Sequence, residues 1–309
     1  MRILFMGTPE LAIPSLEAAR DVGRVVGVVS QPPKGGGRGR KVTPSPVAEK
    51  ALEWGIDPLV PESVRADEFI MTAASLEPDV ALVVAYGKIL PPGLLAVPRL
   101  GCVNIHASLL PGLRGAAPIQ WAVARGFTET GVTLMQMDEG MDTGPILLQK
   151  STPIGMEETA GELARRLAML GAGLVREGLP ALHRGELVPR EQDGSSATYA
   201  PLLSKEDGRI DWNGDAVEIS NRVRGFSPWP GTFTTCNGAR MIITRGRTVQ
   251  SMSGNLPGTV LAAGSEGIAV ACGKGALLIT SVKPEGKREM TAAQYVSGYP
   301  LETGDVLGE

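Results

Sequence analysis

In the first half of the chain, short uninterrupted apolar runs alternate with stretches of helical period. Residues 3–6 form the first run, closed by Gly7-Thr8-Pro9 and followed by an amphipathic stretch from 10 to about 21. A second run covers 25–29 and a third covers 80–86, with helical stretches predicted over 47–54 and 66–76. Uncharged runs of this length, spaced by helices, predict strands buried on both faces of a parallel sheet. Residues 101–105 and 131–137 read as further strands, with a helix around Pro118–Ala124 between them. The expected architecture is α/β, with an open, doubly wound, mostly parallel sheet.

Residues 157–183 place acids first and basic residues late, and Leu163, Leu167, Leu170, Leu174 and Leu182 keep a helical period. The pattern predicts a closing helix, broken near Gly178-Leu179-Pro180. A polar, irregular stretch over 189–196 then suggests a linker. Beyond it, short apolar runs at 232–235, 241–244, 258–261, 268–271 and 277–282 are spaced by Gly, Asn and Ser. That texture predicts a smaller antiparallel barrel or sandwich. The expected division is a first domain over 1–189, a linker over 190–205 and a second domain over 206–309.

Composition narrows the class. The 309 residues carry 30 Lys plus Arg against 33 Asp plus Glu, a formal net charge of −3. Bulk charge therefore gives no reason to expect nucleic acid or an anionic membrane, and only a local basic patch could. The three cysteines, Cys102, Cys236 and Cys272, are far apart with no CxxC, so neither a disulfide framework nor a thiolate zinc site is expected. The opening residues reach Gly7-Thr8-Pro9 too early for a signal peptide, and there is no run of about 18 apolar residues. A reduced, cytoplasmic protein without a membrane segment is the expectation.

The familiar site motifs are missing. Gly7-Thr8-Pro9 lacks the spacing of a dinucleotide-binding turn, no Gly-Lys pair is followed by Ser or Thr, and G-x-S-x-G is absent. With two histidines and no H-E-x-x-H, no catalytic metal is expected. Two segments do carry chemistry. Alternation along the strand near 101–105 puts Asn104 and His106 on one face, at the end where open α/β sheets bind ligands. The strand over 131–137 runs into Asp138-Glu-Gly-Met-Asp142-Thr-Gly. An Asn, a His and an acid at neighbouring strand ends suit acyl or formyl transfer to an amine, which needs a donor to the developing oxyanion and a route for the amine proton. The same spacing is compatible with a structural Asn, a hydrogen-bonded core His and an ordinary acidic turn.

Asn104-Ile-His106-Ala-Ser108-Leu109-Leu110-Pro111, with Arg114-Gly-Ala-Ala-Pro-Ile-Gln120 after it, resembles the core of folate-dependent formyltransferases. Thr130-Gly-Val-Thr-Leu-Met-Gln-Met-Asp138-Glu-Gly-Met-Asp142-Thr-Gly144 is similar to that family's second block. Met6-Gly-Thr-Pro9, Gly39-Arg-Lys-Val-Thr-Pro-Ser-Pro46, Ile210-Asp-Trp212 and Arg224-Gly-Phe-Ser-Pro-Trp-Pro-Gly231 extend the likeness over nearly the whole chain, toward the methionyl-tRNA formyltransferases. The resemblance implies a Rossmann-like formyltransferase domain, an OB-like β-barrel holding the tRNA acceptor arm, 10-formyltetrahydrofolate as formyl donor, and methionyl initiator tRNA as acceptor. It implies Asn104 as oxyanion donor, His106 in proton transfer and Asp142 orienting His106. Ser108, Leu109, Leu110 and Pro111 would contact folate, with Tyr86, Gly87, Ile89 and Leu90 at the same edge.

The basic run from Lys34 to Lys41 falls where the family carries a tRNA-contacting insertion, so Arg38, Arg40 and Lys41 are the expected tRNA contacts. Arg222, Arg224, Arg245, Arg247, Lys283, Lys287 and Arg288 are further candidates, while Trp229 between two prolines is expected to pack rather than stack on bases. The chain departs from the family at Gly112-Leu113, where a basic–aromatic pair is common. A monomer is expected. The alternative acceptor is a sugar amine, and the alternative class is a non-catalytic folate- or RNA-binding protein.

Overall fold

The computed structural model describes residues 1–33, 43–236, 238–250 and 254–308, which separate into two compact units. The first comprises Met1–Pro118, Glu129–Pro153 and Ala164–Pro201. The second comprises Ile119–Thr128, Ile154–Leu163 and Leu202–Glu309.

The first unit opens with β1 (Arg2–Gly7), α1 (Ile13–Val22), β2 (Arg24–Val29), α2 (Pro46–Glu53) and α3 (Asp67–Ser75). It continues through β3 (Val80–Val84), the short α4 (Pro92–Leu95) and β4 (Cys102–His106). After α5 (Pro118–Ala124), which falls in the second unit from Ile119 on, come β5 (Glu129–Gln136), β6 (Ile146–Pro153) and the long α6 (Ala160–Arg184), whose first turn also belongs to the second unit. The strands form one sheet in the order β2-β1-β3-β4-β5-β6. β1, β2, β3 and β4 are parallel, and β5 and β6 join antiparallel. The crossovers leave β3 buried at every position, which is why it reads as an unbroken apolar run. It ends at Val84 rather than Tyr86 because Ala85 turns to φ 48°.

Two further expectations change. The helix α6 is not broken at Pro180 but runs through it to Arg184. Proline removes one backbone donor, yet the flanking turns are held by packing. Leu179 and Val175 are fully buried, and a Cβ on Gly178 would collide with Leu134 of β5. The stretch 190–200, expected as linker, is bound to the first unit. Arg190 exchanges backbone hydrogen bonds with Ile146, and Thr198 and Ala200 do so with 111–117.

The second unit holds α7 (Ala216–Gly225), β7 (Thr232–Cys236), β8 (Ala239–Val249), β9 (Val260–Gly264), β10 (Gly267–Ala271), β11 (Ala276–Pro284), β12 (Met290–Thr291) and α8 (Ala292–Gly298). Its sheet is antiparallel, in the order β7-β8-β11-β10-β9, with β12 on β11. The C-terminal segment joins the two sheet ends. Gly304 N donates to Val260 O and Asp305 O accepts from Val260 N at the start of β9, and Gly308 donates to Thr235 of β7. Bridging both edges removes the unpaired groups that make an open sheet adhesive.

The enclosed core includes Trp212, Ile219, Val223, Met241, Ile268, Leu277, Ile279 and Tyr295. Trp212, whose indole N–H donates to Thr234 Oγ1 at 3.1 Å, is the packing tryptophan here. Trp229, expected in that role, is 49% exposed. Its place in a Pro-flanked turn leaves its ring outside the core cluster.

Candidate functional site

The parallel strands deliver their carboxyl ends to one edge, in register. Gly7 lies beside Val84, and Val83 beside Asn104. The loops leaving that edge are tied together. Thr8 Oγ1 donates to Tyr86 O at 3.4 Å and accepts from Gln31 N at 3.3 Å, while Gln31 Nε2 donates to the same Tyr86 carbonyl at 2.5 Å. This places the polar ends of β1, β2 and β3 beside the end of β4.

On β4, Asn104 and His106 share a face, opposite Met135 and Thr133 of β5. The other face, through Ile105, packs on α6 at Gly171, where a Cβ would lie 3.0 Å from Ile105 Cγ2. Asn104 is half-buried, and its side-chain amide makes no hydrogen bond to the described residues. It therefore has donors to offer a ligand.

The ring of His106 is buried and held from both sides. Nε2 lies 3.0 Å from Leu113 O, an atom that can only accept, so Nε2 carries the proton. Nδ1 faces Asp142 Oδ2 at 3.6 Å, longer than a hydrogen bond. In this arrangement the Leu113 carbonyl holds one ring nitrogen, and the Asp142 carboxyl group faces the other. Asp142 Oδ2 also accepts from Gly115 N at 2.8 Å. Gly115 has φ 117°, and a Cβ there would lie 2.7 Å from Ala200 O, so the position requires glycine.

Both neighbours of the ring are strained. Leu113 has φ 59° and Asp142 φ 54°, the left-handed region that costs a non-glycine residue about 1–2 kcal/mol. The departure at Gly112-Leu113 thus has a structural reading: Leu113 contributes a carbonyl, while its side chain is buried.

The turn over Ser108–Pro111 hangs on β5. Thr133 Oγ1, fully buried, donates to Ser108 O at 2.6 Å and accepts from Leu110 N at 3.2 Å and Gln149 Nε2 at 3.0 Å. Gln149 also donates to Leu110 O at 2.9 Å, and Ser108 Oγ donates to Gly112 O at 2.6 Å. The Leu110–Pro111 peptide is cis. Leu109 is half-buried and packs over Gly131. The remaining expected folate residues divide. Tyr86 and Leu90 are core residues beside Leu4, Met6 and Leu94, whereas Gly87 and Ile89 are exposed at the sheet edge. Burial pushes the Tyr86 hydroxyl and the Cys102 thiol each up to about 12, so neither ionises near neutral pH.

Arg38, Arg40 and Lys41 lie outside the described residues. Of the second-unit cations, Arg222 donates to Asp207 O, and Arg245 pairs with Glu162 at 3.2 Å. Arg224 donates to Gly155 O, Glu158 O and Asn221 Oδ1, and burial draws its guanidinium below the usual range. These three are engaged within their own unit, while Arg247, Lys283, Lys287 and Arg288 stand exposed. Among the described residues no three His, Cys, Asp or Glu side chains group as metal ligands, and no helix is long and apolar enough to cross a membrane.

Sequence reading missed Leu113 O, Thr133, Gln149, Gln192 and Thr198. Thr133 alone left a trace, as a polar residue inside an apolar strand on the same face as His106.

Residues 1–177 match the family described as formyl transferase, and residues 202–300 match the formyl transferase C-terminal domain. The chain is 50% identical to a methionyl-tRNA formyltransferase of Sorangium cellulosum, over 100% of both proteins. It is 50% identical to that of Myxococcus xanthus, over 98% of this chain and 96% of the other. A solved N-formyltransferase from Helicobacter canadensis, in complex with folinic acid and dTDP-3-aminofucose, superimposes with a TM-score of 0.66 at 18% identity. That likeness covers 93% of this chain and 99% of the other, and it is a likeness of fold. With residues 1–177 and 202–300 both matched, and half of the residues shared along nearly the whole length with two methionyl-tRNA formyltransferases, the chain belongs to the formyl transferase family and, within it, to the methionyl-tRNA formyltransferases.

Proposed function

We propose that the protein transfers the formyl group of 10-formyltetrahydrofolate to the α-amino group of methionyl initiator tRNA, giving N-formylmethionyl-tRNA. The observation that carries this reading is a buried His106 held between the Leu113 carbonyl and Asp142, beside an Asn104 amide that makes no hydrogen bond to the described residues, in a chain 50% identical throughout to a protein of that name. The solved relative that holds folinic acid, a formylated tetrahydrofolate, supports a folate-type donor.

In this reading the amide of Asn104 donates to the formyl oxygen as it gains negative charge, a contribution of roughly 3–4 kcal/mol where such a donor is preorganised. The attacking α-amino group titrates at about 7.7–8.0, so much of it is neutral near pH 7.5 and no strong base is needed. Nitrogen attacks the formyl carbon, and the tetrahedral centre then releases N10 of tetrahydrofolate. The proton lost by the amine is taken up at His106 Nδ1, the nitrogen left free while Nε2 is bound to Leu113 O, and returned to the leaving nitrogen. A proton at Nδ1 faces Asp142 Oδ2 across 3.6 Å, so the carboxylate stabilises the imidazolium. Ser108, Leu109, Leu110 and Pro111 would seat the pterin, with Gly87 and Ile89 at its rim. Tyr86 and Leu90 would support that wall from the core. Arg38, Arg40 and Lys41 would meet acceptor-stem phosphates.

The test is incubation with 10-formyltetrahydrofolate and methionyl initiator tRNA, with methionyl elongator tRNA and a nucleotide-linked amino sugar alongside. Formylmethionine released by ester hydrolysis from the initiator sample alone is the expected product. Formylation of the sugar instead, or of neither acceptor, would overturn the reading.

A further inference from the structure

Among the described residues, four non-glycine residues adopt a positive φ: Glu77, Ala85, Leu113 and Asp142. Two of the four are the groups that flank His106. A strained backbone persists only where its surroundings over-determine it, and here one segment supplies those surroundings. We infer that residues 190–200 form a strap in which Gln192 and Thr198 are positioning residues, holding Leu113 and Asp142 in left-handed conformation and so fixing the tautomer and orientation of His106. The inference rests on the formyl-transfer reading for its kinetic consequence, though not for its structural one.

Thr198 secures the Leu113 side. Its hydroxyl oxygen accepts from Leu113 N at 2.9 Å, its backbone N–H donates to Pro111 O, and its carbonyl accepts from Arg114 N at 2.8 Å. Ala200 N–H then donates to Arg114 O at 2.7 Å. With its N–H anchored on Thr198, Leu113 is committed to aim its carbonyl at His106 Nε2.

Gln192 secures the Asp142 side. Its Nε2 donates to Asp142 O at 2.9 Å and to Gly144 O at 2.7 Å. Its Oε1 accepts two bonds from the buried Arg114, from Nε at 3.1 Å and Nη2 at 2.8 Å. One amide thus ties the loop of Asp142 to the loop of Leu113, and the Gly115 N to Asp142 Oδ2 bond adds a further tie. The task requires an amide: a carboxylate has no donors for the two carbonyls, and an ammonium has no acceptor for the guanidinium. The strap is itself pinned. Arg190 exchanges backbone bonds with Ile146 and donates Nη2 to Gln149 Oε1 at 2.7 Å, while Asp193 closes the turn by accepting from Ser195 and Ser196.

The test compares wild type with Thr198→Val, Thr198→Ser and Gln192→Glu. Gln192→Glu keeps an acceptor for Arg114, and so the fold, while it removes both donors to the Asp142 loop. Thr198→Val keeps shape and loses the acceptor, and Thr198→Ser restores it. The chain has two histidines, and His183→Gln assigns their ring signals. Imidazole 15N spectra of the free proteins therefore report the His106 tautomer without any turnover.

Wild type is expected to show a single Nε2–H tautomer for His106. Thr198→Val and Gln192→Glu are expected to show mixed tautomers and about a 10- to 100-fold lower kcat, the scale of a roughly 1 Å misplacement. KM for the formyl donor should stay within about threefold, since the Thr133 bonds to the folate turn and the backbone bond from Thr198 N to Pro111 O survive both substitutions. Thr198→Ser should recover both signals. Folded variants with an unchanged His106 tautomer and kcat within twofold of wild type would overturn the inference, as would a Thr198→Ser variant as impaired as Thr198→Val. A wild type inactive on methionyl-tRNA would overturn the proposed reaction, and the tautomer comparison would still judge the strap.

Discussion

Thr133→Val removes one oxygen and is the sharpest probe of how the sheet supports the candidate folate turn. A hydroxyl has one proton and two lone pairs, and Thr133 spends all three: the proton on Ser108 O, the lone pairs on Leu110 N–H and Gln149 Nε2. Valine preserves the volume but faces those groups with a methyl. Gln149 keeps its bond to Leu110 O, so two groups, Ser108 C=O and Leu110 N–H, lose partners in a buried setting. At about 1–3 kcal/mol for each orphaned buried group, the expected loss is roughly 2–4 kcal/mol after partial relaxation. For a unit of this size that corresponds to a fall in Tm of about 5–15 °C. Thr133→Ser keeps the hydroxyl and forfeits one methyl, a cost of roughly 0.5–1.5 kcal/mol. The assay pairs denaturant unfolding with KM for 10-formyltetrahydrofolate. Thr133→Val should be the less stable of the two and should raise that KM, because the released backbone groups belong to the candidate folate turn. A Thr133→Val protein less than about 1 kcal/mol below wild type, with an unchanged KM, would refute the hydrogen-bond accounting.

Asn104→Ala and His106→Ala should each lower kcat by about 10²–10³ while equilibrium binding of the folate donor persists, and near-wild-type turnover by His106→Ala would end the catalytic assignment. Replacing Arg38 and Arg40 with Ala should weaken use of tRNA and flatten its salt dependence, by roughly 0.7–0.9 in log–log slope for each phosphate no longer neutralised, with folate binding intact. The Asp79 carboxylate is held below its ordinary range first by the backbone N–H of Arg2 at 2.7 Å and then by Arg99. A depressed carboxylate contributes stability that is full above the unfolded value of about 3.9 and lost as pH falls through the lower folded value. Asp79→Asn should therefore be less stable than wild type at pH 7, with the gap closing below about pH 4, and a gap constant with pH would show that the lost interaction is not electrostatic.

The parallel half of the sheet was legible because burial on both faces removes the need for alternation. The runs that hold β1, β2 and β3 announce themselves, though the third reads two residues too long, to Tyr86, and Asn104 and His106 stand out as polar residues closing such a run. β6 gave no such signal: at the edge of the sheet it passes from buried Ile146 and Leu147 to exposed Lys150 and Ser151, with neither a continuous apolar run nor an alternation. Pro180 was read as a break because local propensity favours one, and tertiary packing of Leu179 and Gly178 overrode it.

Residues 190–200 were misjudged for a reason that bears on the whole site. Polarity between two domains ordinarily marks a solvated tether, and Glu191, Gln192, Asp193 and Thr198 give this segment that polarity. Here Gln192 and Thr198 spend theirs inward, on backbone groups of two loops that the segment ties together. No periodicity marks such a segment, because its hydrogen bonds go to chain some 50 to 85 residues away, as from Gln192 to Asp142 and from Thr198 to Leu113. The same holds for the surroundings of His106, where the sequence pointed to Asp142 alone and the structure adds the carbonyl of Leu113. A backbone carbonyl has no residue type. What fixes it is φ at Leu113, and what fixes that φ is a hydroxyl 85 residues further along the chain.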